Sequence, residues 1–231
     1  MKKRLLTIAL LSGFSMVALA NQSGDILIRG GVTSVNPDSA ASGVYVEALG
    51  GMTPLSLSVE DNTQLGLNFV YFVDSNWAVE LLAATPFTHD IIINDPQAIA
   101  PSVLGEAVDG AKLAETTHLP PTLSVLYYID TGTAIKPYVG AGINYTHFFK
   151  EEFSDTAKGL GFNDLQLDAS FGLSAQVGVD YEFDKNWSVN VSARYIDIGT
   201  EATFMIGDTI AGSSDVDVNP MVYSVMLGYK F

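Results

Sequence analysis

The feature that most constrains the fold of this chain is a period-two alternation of apolar residues with polar or small ones. It is clearest in Thr63–Phe87, TQLGLNFVYFVDSNWAVELLAATPF, where every second residue from Leu65 to Val73 is apolar. This period predicts a β-strand with one apolar face. Turn-forming residues follow at Asp74–Asn76, and the alternation resumes at Trp77. The stretch therefore predicts a hairpin whose strands, at about 9–11 residues, are long enough to cross a membrane at a tilt.

The alternation recurs along the chain and predicts eight strands, an even number, as closure of a bacterial outer-membrane barrel normally requires. The other six predicted strands are Asp25–Val35, Pro121–Ile129, Lys136–Phe148, Phe171–Phe183, Trp187–Ile198 and Met221–Phe231. The connections after the second, fourth and sixth strands are short, whereas the others, at about 36–62, 88–118, 150–169 and 199–219, are long. We therefore predict an all-β fold, an eight-stranded antiparallel up-and-down transmembrane β-barrel with short periplasmic turns and long extracellular loops.

Residues 1–20 have the organisation of a secretory signal peptide. A basic head at Met1–Arg4 precedes a mainly apolar stretch at Leu5–Val17 and a small-residue cleavage site at Ala18–Ala20. This apolar stretch is shorter than the roughly 20 residues that a membrane-spanning helix needs. We expect residues 1–20 to be cleaved and residues 21–231 to form a single outer-membrane β-barrel.

The composition fits an exported barrel. Hydrophobic residues make up 48% of the chain, yet no stretch after the signal peptide is long enough for a spanning helix, which favours a membrane β-barrel. The absence of cysteine excludes disulfides, and the net charge of −15 argues against nucleic acid as a partner. The long connections hold 18 of the 26 acidic residues, which is typical of a solvated face or, alternatively, of a rim that holds divalent cations. Since no D-x-D-x-D-G motif is present, we predict no metal site and no cofactor.

Strand alternation places six charged side chains toward the lumen: Arg29, Glu80, Asp180, Glu182, Arg194 and Lys230. The interior of an eight-stranded barrel is only just wide enough for its side chains, and buried unpaired charge is costly. We therefore expect a polar plug of paired charges, with a charged conduction path as the alternative. Above it, small and apolar side chains and the inward Gly140 and Gly142 predict an apolar pocket, with Leu82 as its floor. The predicted constriction consists of Leu82, Val70, Ala84, Leu126 and Arg194.

Aromatic residues repeat around two of the short turns. Tyr71-x-x-Asp74-x-Asn76-Trp77 is matched by Tyr181-x-x-Asp184-x-Asn186-Trp187. Tyrosine and tryptophan at a shared depth are typical of the interfacial girdle of a membrane barrel. We expect Trp77, Trp187, Tyr71 and Tyr181 to form this girdle on the periplasmic side; core aromatics of a soluble barrel are the alternative.

Prolines mark the facing ends of two neighbouring strands. Pro86 ends the third predicted strand, and Pro120 and Pro121 start the fourth. Proline has no N–H to donate to a ladder, so it is normally absent from central strands. The pattern predicts a weak lateral seam near the outer ends of these two strands, through which a hydrophobic solute would leave sideways into the bilayer. The alternative is that the prolines only terminate the strands above the membrane.

Five motifs, in order along the chain, resemble the outer membrane protein W (OmpW) family: NTQLGL at 62–67, VELLAATPF at 79–87, HLPPTL at 118–123, KPYVGAGINY at 136–145 and QVGVDY at 176–181. The resemblance implies a small barrel in the outer membrane of a Gram-negative bacterium, a narrow and largely hydrophobic interior, and uptake of small hydrophobic molecules. One departure is Arg194, where the family often has a bulky aromatic residue. The terminal Phe231 also resembles the last residue of many outer-membrane barrels, which implies recognition by the outer-membrane assembly machinery.

Three functions remain open at this point, and the first is preferred. It is a channel for passive uptake of small hydrophobic solutes, in contact with outer-membrane lipids. The second is a structural or adhesive barrel whose extracellular loops bind a partner; Ile91–Ile93 is its best feature, although this patch equally extends the third strand into a longer hydrophobic funnel. The third is an enzyme that uses His89, His118 and His147 near the outer rim. No G-x-S-x-G motif supports the third function, so we predict that the protein is not an enzyme.

Overall fold

The computed structural model describes residues 21–38, 42–46, 51–101, 107–207 and 210–231. The predicted signal peptide lies outside the described residues. Within them, no helix is long and apolar enough to cross a membrane.

Eight antiparallel strands form a closed barrel. They are β1 (Ile26–Asn36), β4 (Asn62–Phe72), β5 (Trp77–Ala84), β8 (Thr122–Tyr128), β9 (Ile135–Phe153), β11 (Ser170–Glu182), β12 (Trp187–Ile196) and β15 (Met221–Lys230). Each strand pairs with the next in this order, and β15 pairs back with β1, for example at Gly30 with Leu227. Closure leaves no free edge within the barrel. The predicted eight-stranded barrel is confirmed.

The alternation sorts side chains between the outer face and the interior. The outward face of the barrel strands is a belt of exposed apolar side chains, such as Leu67, Leu81, Val125, Val177 and Val225. Tyr71, Trp77, Tyr181 and Trp187 also lie on this outer face, beside the short turns. The Trp77 ring lies 4.9 Å from the ring of Tyr127, and the Trp187 ring lies 4.9 Å from that of Tyr229.

The long connections are not irregular loops, as the sequence suggested, but mostly strands of a second tier above the barrel. They form β2 (Ser42–Val46), β3 (Gly51–Val59), β6 (Phe87–Asn94), β7 (Ala111–Leu119), β10 (Phe162–Leu167), β13 (Gly199–Ile206) and β14 (Ile210–Asp217), with a one-turn helix α1 (Asp155–Gly159). In this tier the order is β10-β13-β14-β2-β3-β6-β7-β9, so the upper half of β9 joins both tiers. These strands form because their apolar residues have a common interior to cover, which the sequence of each segment alone does not reveal.

Inward glycines allow close approach of neighbouring groups, and they do not leave open space as the sequence interpretation held. A Cβ atom added at Gly140 would lie 2.5 Å from Leu126 Cδ2, and one at Gly142 would lie 2.4 Å from the Leu123 carbonyl oxygen. The volume beside each glycine is therefore already occupied by the adjacent strands.

Substitution of Gly31 by alanine tests how closely β1 packs against β15 in the barrel wall. The new Cβ would lie 2.2 Å from the Val225 carbonyl oxygen, a backbone atom of β15, so we expect a loss of about 1–3 kcal/mol of stability. The matched control is Gly30→Ala, which meets no atom within 4 Å. The measurement is the temperature at which unboiled protein loses its compact mobility in detergent gels. Equal transition temperatures for the two variants would contradict the described packing of β1 against β15.

Candidate functional site

A layer of paired charges crosses the interior of the barrel. Glu80 accepts hydrogen bonds from Arg29 Nη1 at 3.0 Å and from Arg194 Nη2, so one carboxylate joins two guanidinium groups. Asp180 accepts a second bond from Arg29, from Nε at 3.1 Å. Gln176 Nε2 donates to Glu80 at 2.9 Å and Gln176 Oε1 accepts from Arg194. We call these five residues the charged layer; their side chains are buried, and their formal charges balance.

Aromatic and amide groups add further hydrogen bonds to the charged layer. Tyr128 donates its hydroxyl to Asp180 at 3.1 Å, and Asn190 Nδ2 donates to Asp180 at 2.9 Å. Asn68 Nδ2 donates to Glu80 at 2.9 Å, and the Arg29 guanidinium lies 5.2 Å from the ring centre of Tyr138. Such dense pairing offsets the cost of removing four charges from water. The layer fills the lumen at this level.

The other predicted plug residues lie closer to the short turns. Lys230 Nζ donates to Glu182 at 3.1 Å and to Asn21 Oδ1 at 3.2 Å. Lys136, which the sequence interpretation missed, is also buried at this end and lies 3.6 Å from Asp130. The sequence contained a signal for this position, because Lys136 lies two residues before Tyr138 on β9 and the alternation places both side chains on the inner face.

The predicted constriction residues do not form one pocket. Val70 and Leu126 are fully buried in an apolar cluster on the periplasmic side, with Leu27, Phe72, Ala78, Tyr128 and Tyr138. Leu82 is buried beside its ladder partners Asn68 and Thr122. Ala84 packs higher still, against a second cluster made of Val35, Phe87, Phe148, Ile196, Ile198 and Val222, which we call the upper apolar cluster. Arg194 belongs to the charged layer. Leu82 is not among the residues that line the apolar cavity of the second tier, so it does not form the floor of that cavity.

The apolar cavity lies in the second tier instead. The cavity volume is about 80 Å³. Its wall is made by buried apolar side chains from eight strands, among them Leu57, Ile91, Ile93, Phe153, Phe204 and Val216. An apolar lining of this kind suits small apolar ligands. Ile91 and Ile93 thus line a hydrophobic funnel, the option that the sequence interpretation preferred for this patch.

The prolines lie where strand pairing is interrupted. Pro86 lies between β5 and β6, and Pro120 and Pro121 lie between β7 and β8. No residue of 83–86 pairs in a β-ladder with a residue of 119–121. We call these two segments the proline seam. The ladder pairs that border it are Leu82 with Thr122 below and Phe87 with His118 above.

The proline seam is closed on its two other sides. Thr85 N–H donates to the Leu65 carbonyl of β4 at 2.9 Å, and Asn144 Nδ2 donates to the carbonyls of Pro120 and Pro121, both at 3.1 Å. The interruption is therefore confined to the wall between β5 and β8. Leu65 is 66% exposed and belongs to the outward apolar belt, so the seam lies at the outer end of this belt.

Two of the three histidines lie together at the lower end of the cavity, above the outward belt. His89 and His118 stack with ring centres 5.0 Å apart, and both line the cavity. Burial, together with the neighbouring His89, lowers the pKa of His118 to about 3, and burial also lowers the pKa of His89. Both rings are therefore neutral at neutral pH. His147 is exposed on the outer face and does not join them.

The comparisons with known proteins agree with this architecture. The sequence model of the OmpW family matches residues 22–231. The chain belongs to the OmpW family. Outer membrane protein W of Vibrio cholerae is 40% identical over 233 residues, which is 100% of both chains. The crystal structure of OprG, an outer membrane protein of Pseudomonas aeruginosa, is similar with a TM-score of 0.81 and 35% identity, over 92% of this chain and 98% of that one.

A more distant relative is the dibenzothiophene metabolism operon protein PahQ of Pseudomonas aeruginosa. It is 25% identical over 206 residues, which is 88% of this chain and 87% of that protein. The predicted family is confirmed, and the protein is an outer-membrane β-barrel of a Gram-negative bacterium.

Removal of the shared carboxylate tests the charged layer. Glu80→Gln keeps the size of the side chain but leaves Arg194 without an ion-pair partner, so we expect a loss of about 3–5 kcal/mol in the free energy of unfolding. The matched control is Glu182→Gln, whose pair with Lys230 is partly exposed and should contribute about 1 kcal/mol or less. Urea unfolding in lipid vesicles measures both values. A Glu80→Gln variant as stable as the Glu182→Gln control would contradict the structural role given to this layer.

Proposed function

We propose that this protein is a passive route through the outer membrane for small hydrophobic molecules, which enter the apolar cavity from outside and leave sideways through the proline seam. The observation that carries the proposal is the position of the cavity directly above the seam. His118 lines the cavity and also forms, with Phe87, the first ladder pair above the interruption.

The axial route is unfavourable for an apolar solute. It would have to displace the upper apolar cluster and then pass the charged layer, where it would break buried ion pairs and gain no contact in return. Movement from water into the bilayer, by contrast, removes apolar surface from water at about 25 cal/mol per Å². A lateral exit therefore follows the favourable direction of transfer.

The position of the seam suits such an exit. Backbone groups without partners are costly in hydrocarbon, so an interrupted ladder is tolerated only near the interface or under protein cover. The seam lies at the outer end of the belt, close to the interface, which meets the first of these conditions.

One relative supports the class of solute. PahQ takes its name from an operon for the metabolism of dibenzothiophene, an apolar aromatic compound. A barrel that admits apolar molecules fits that context.

That this protein is not an enzyme stays a prediction.

Filling the cavity tests the entry step. Ala202 is buried and lines the cavity, whereas the next residue, Thr203, is exposed on the opposite face of β13. We expect Ala202→Phe to reduce uptake of an apolar solute several-fold because the ring takes up part of the cavity, and Thr203→Phe to leave it unchanged. Uptake of a radiolabelled alkane by cells that express equal amounts of each variant gives the comparison. Unchanged uptake with Ala202→Phe would exclude this cavity from the route.

Covalent closure of the seam tests the exit step. The chain has no cysteine, so a pair introduced at Ala84 and Pro120, on opposite sides of the seam, would be the only thiols. A short thiol crosslinker should abolish the uptake that the same protein shows before crosslinking.

The control pair for this experiment lies in the intact ladder between the same two strands. Leu81 and Leu123 are cross-strand partners there, and a crosslink between cysteines at these positions joins strands that are already bonded. We expect no change in uptake for the control. Full uptake through the crosslinked Ala84–Pro120 variant would show that the lateral route is wrong.

A further inference from the structure

One wall of the second tier is not closed by a β-ladder. The tier strands continue the barrel strands upward, and each is hydrogen-bonded to the next in the order β10-β13-β14-β2-β3-β6-β7-β9. The two terminal strands of this order are the upper half of β9 and β10, which leads into β11. Although β9 and β11 are paired in the barrel, β9 and β10 share no ladder within the described residues. The wall is therefore unbonded between these two strands.

The unbonded part of the wall has defined limits, and we call it the side window. Its lower limit is the last ladder pair between β9 and β11, which is Thr146 with Ser170. Its upper limit is the contact between Phe153 and Phe162, whose ring centres lie 5.5 Å apart. At about 3.3 Å per residue, the stretch of β9 between these limits is roughly 20 Å long. The side window is therefore long compared with a small solute molecule.

The two edges of the side window are shaped against strand pairing. Each carries a β-bulge, since β9 has one extra residue opposite β7 and β10 has one extra residue opposite β13. Within these bulges Lys150 and Asp164 have left-handed backbone, with φ of 55° and 51°. Bulges and charged residues are common means by which an edge strand avoids pairing. The local structure of both strands therefore keeps the side window free of a ladder.

The side window adjoins the apolar cavity. Phe148 lines the cavity from β9, and Leu165 and Leu167 line it from β10. Leu165 and Leu167 are only partly buried, so part of each side chain faces the cavity and part is accessible from outside. Apolar side chains therefore continue from the cavity wall to the edge of the side window.

The side window begins at the outer boundary of the membrane. Tyr145 and Phe171, the ladder pair directly below its lower limit, are 50% and 69% exposed and belong to the outward apolar belt. This belt corresponds to the hydrocarbon region of the bilayer. The side window therefore lies at the level of the lipid head groups.

We propose that small apolar molecules enter the cavity through the side window, at the level of the lipid head groups. Leu165 and Leu167 are the first apolar side chains that the solute contacts, and contact with them removes part of its surface from water. Entry and exit then use different walls, because the proline seam lies between β5 and β8. The inference rests on the proposed function, since it assigns the entry point of the same cavity.

A reversible crosslink across the side window tests the entry point. Lys150 and Gln166 are exposed on the two edges and do not line the cavity, so cysteines at these positions leave its wall unchanged. The chain has no other thiol, and a short bis-maleimide with a cleavable disulfide joins the pair. We expect the crosslink to reduce uptake of a radiolabelled short alkane by cells several-fold, and a reductant to restore it in the same cells.

The matched control is a crosslink in an intact ladder of the same tier. Glu201 of β13 and Asp215 of β14 are exposed cross-strand partners, so a crosslink between cysteines there joins strands that are already bonded. We expect unchanged uptake for this control. Both crosslinked proteins should keep the compact mobility of unboiled barrel in detergent gels.

The outcomes separate this inference from the proposed function. Undiminished uptake through the crosslinked Lys150→Cys, Gln166→Cys protein, or an equal loss in the Glu201→Cys, Asp215→Cys control, would overturn the side window and leave apolar uptake standing. Uptake by the unmodified protein no greater than that of cells without it would overturn both.

Discussion

The ion pairs among Arg29, Glu80, Asp180 and Arg194 hold together the interior of this barrel. Their side chains come from β1, β5, β11 and β12, so the charged layer links strands on different sides of the lumen. The layer also divides the molecule along its axis. Because the charged layer fills the lumen, the space above it has a floor, and an apolar cavity there has no continuation toward the periplasm.

The second tier supplies what the barrel itself lacks. The lower interior of this barrel is taken up by the buried side chains of the charged layer and of the apolar cluster below it. The strands of the second tier cover another interior with apolar side chains, which gives the cavity. The ladder between these two chain segments is interrupted at Pro86, Pro120 and Pro121, where the barrel passes into the second tier, so the weak point in the wall lies between the barrel and the cavity.

Much of the barrel could be predicted from the sequence, since an alternation with a period of two predicts both where a strand lies and which of its residues face the interior. Arg29 and Glu80 were assigned to the interior on this basis. The position of each residue along the barrel axis was harder to predict, because it depends on the register between strands. Leu82, for example, was placed beside a cavity that lies higher along this axis. The second tier was missed because segments such as 42–59 alternate only briefly. The pairing of His89 with Thr116 depends on the β6–β7 register, which no local pattern reveals.

The central claim is that apolar solutes pass through the cavity and the seam and do not cross the charged layer. Photolabelling with an alkane that carries a diazirine, followed by residue-level mass spectrometry, tests it most directly. The account predicts label on inward residues of the second tier such as Ile91 and Ala202 and on Leu119 at the seam. Label on Leu27 or Phe72, which lie inside the barrel on the periplasmic side of the charged layer, would contradict the account.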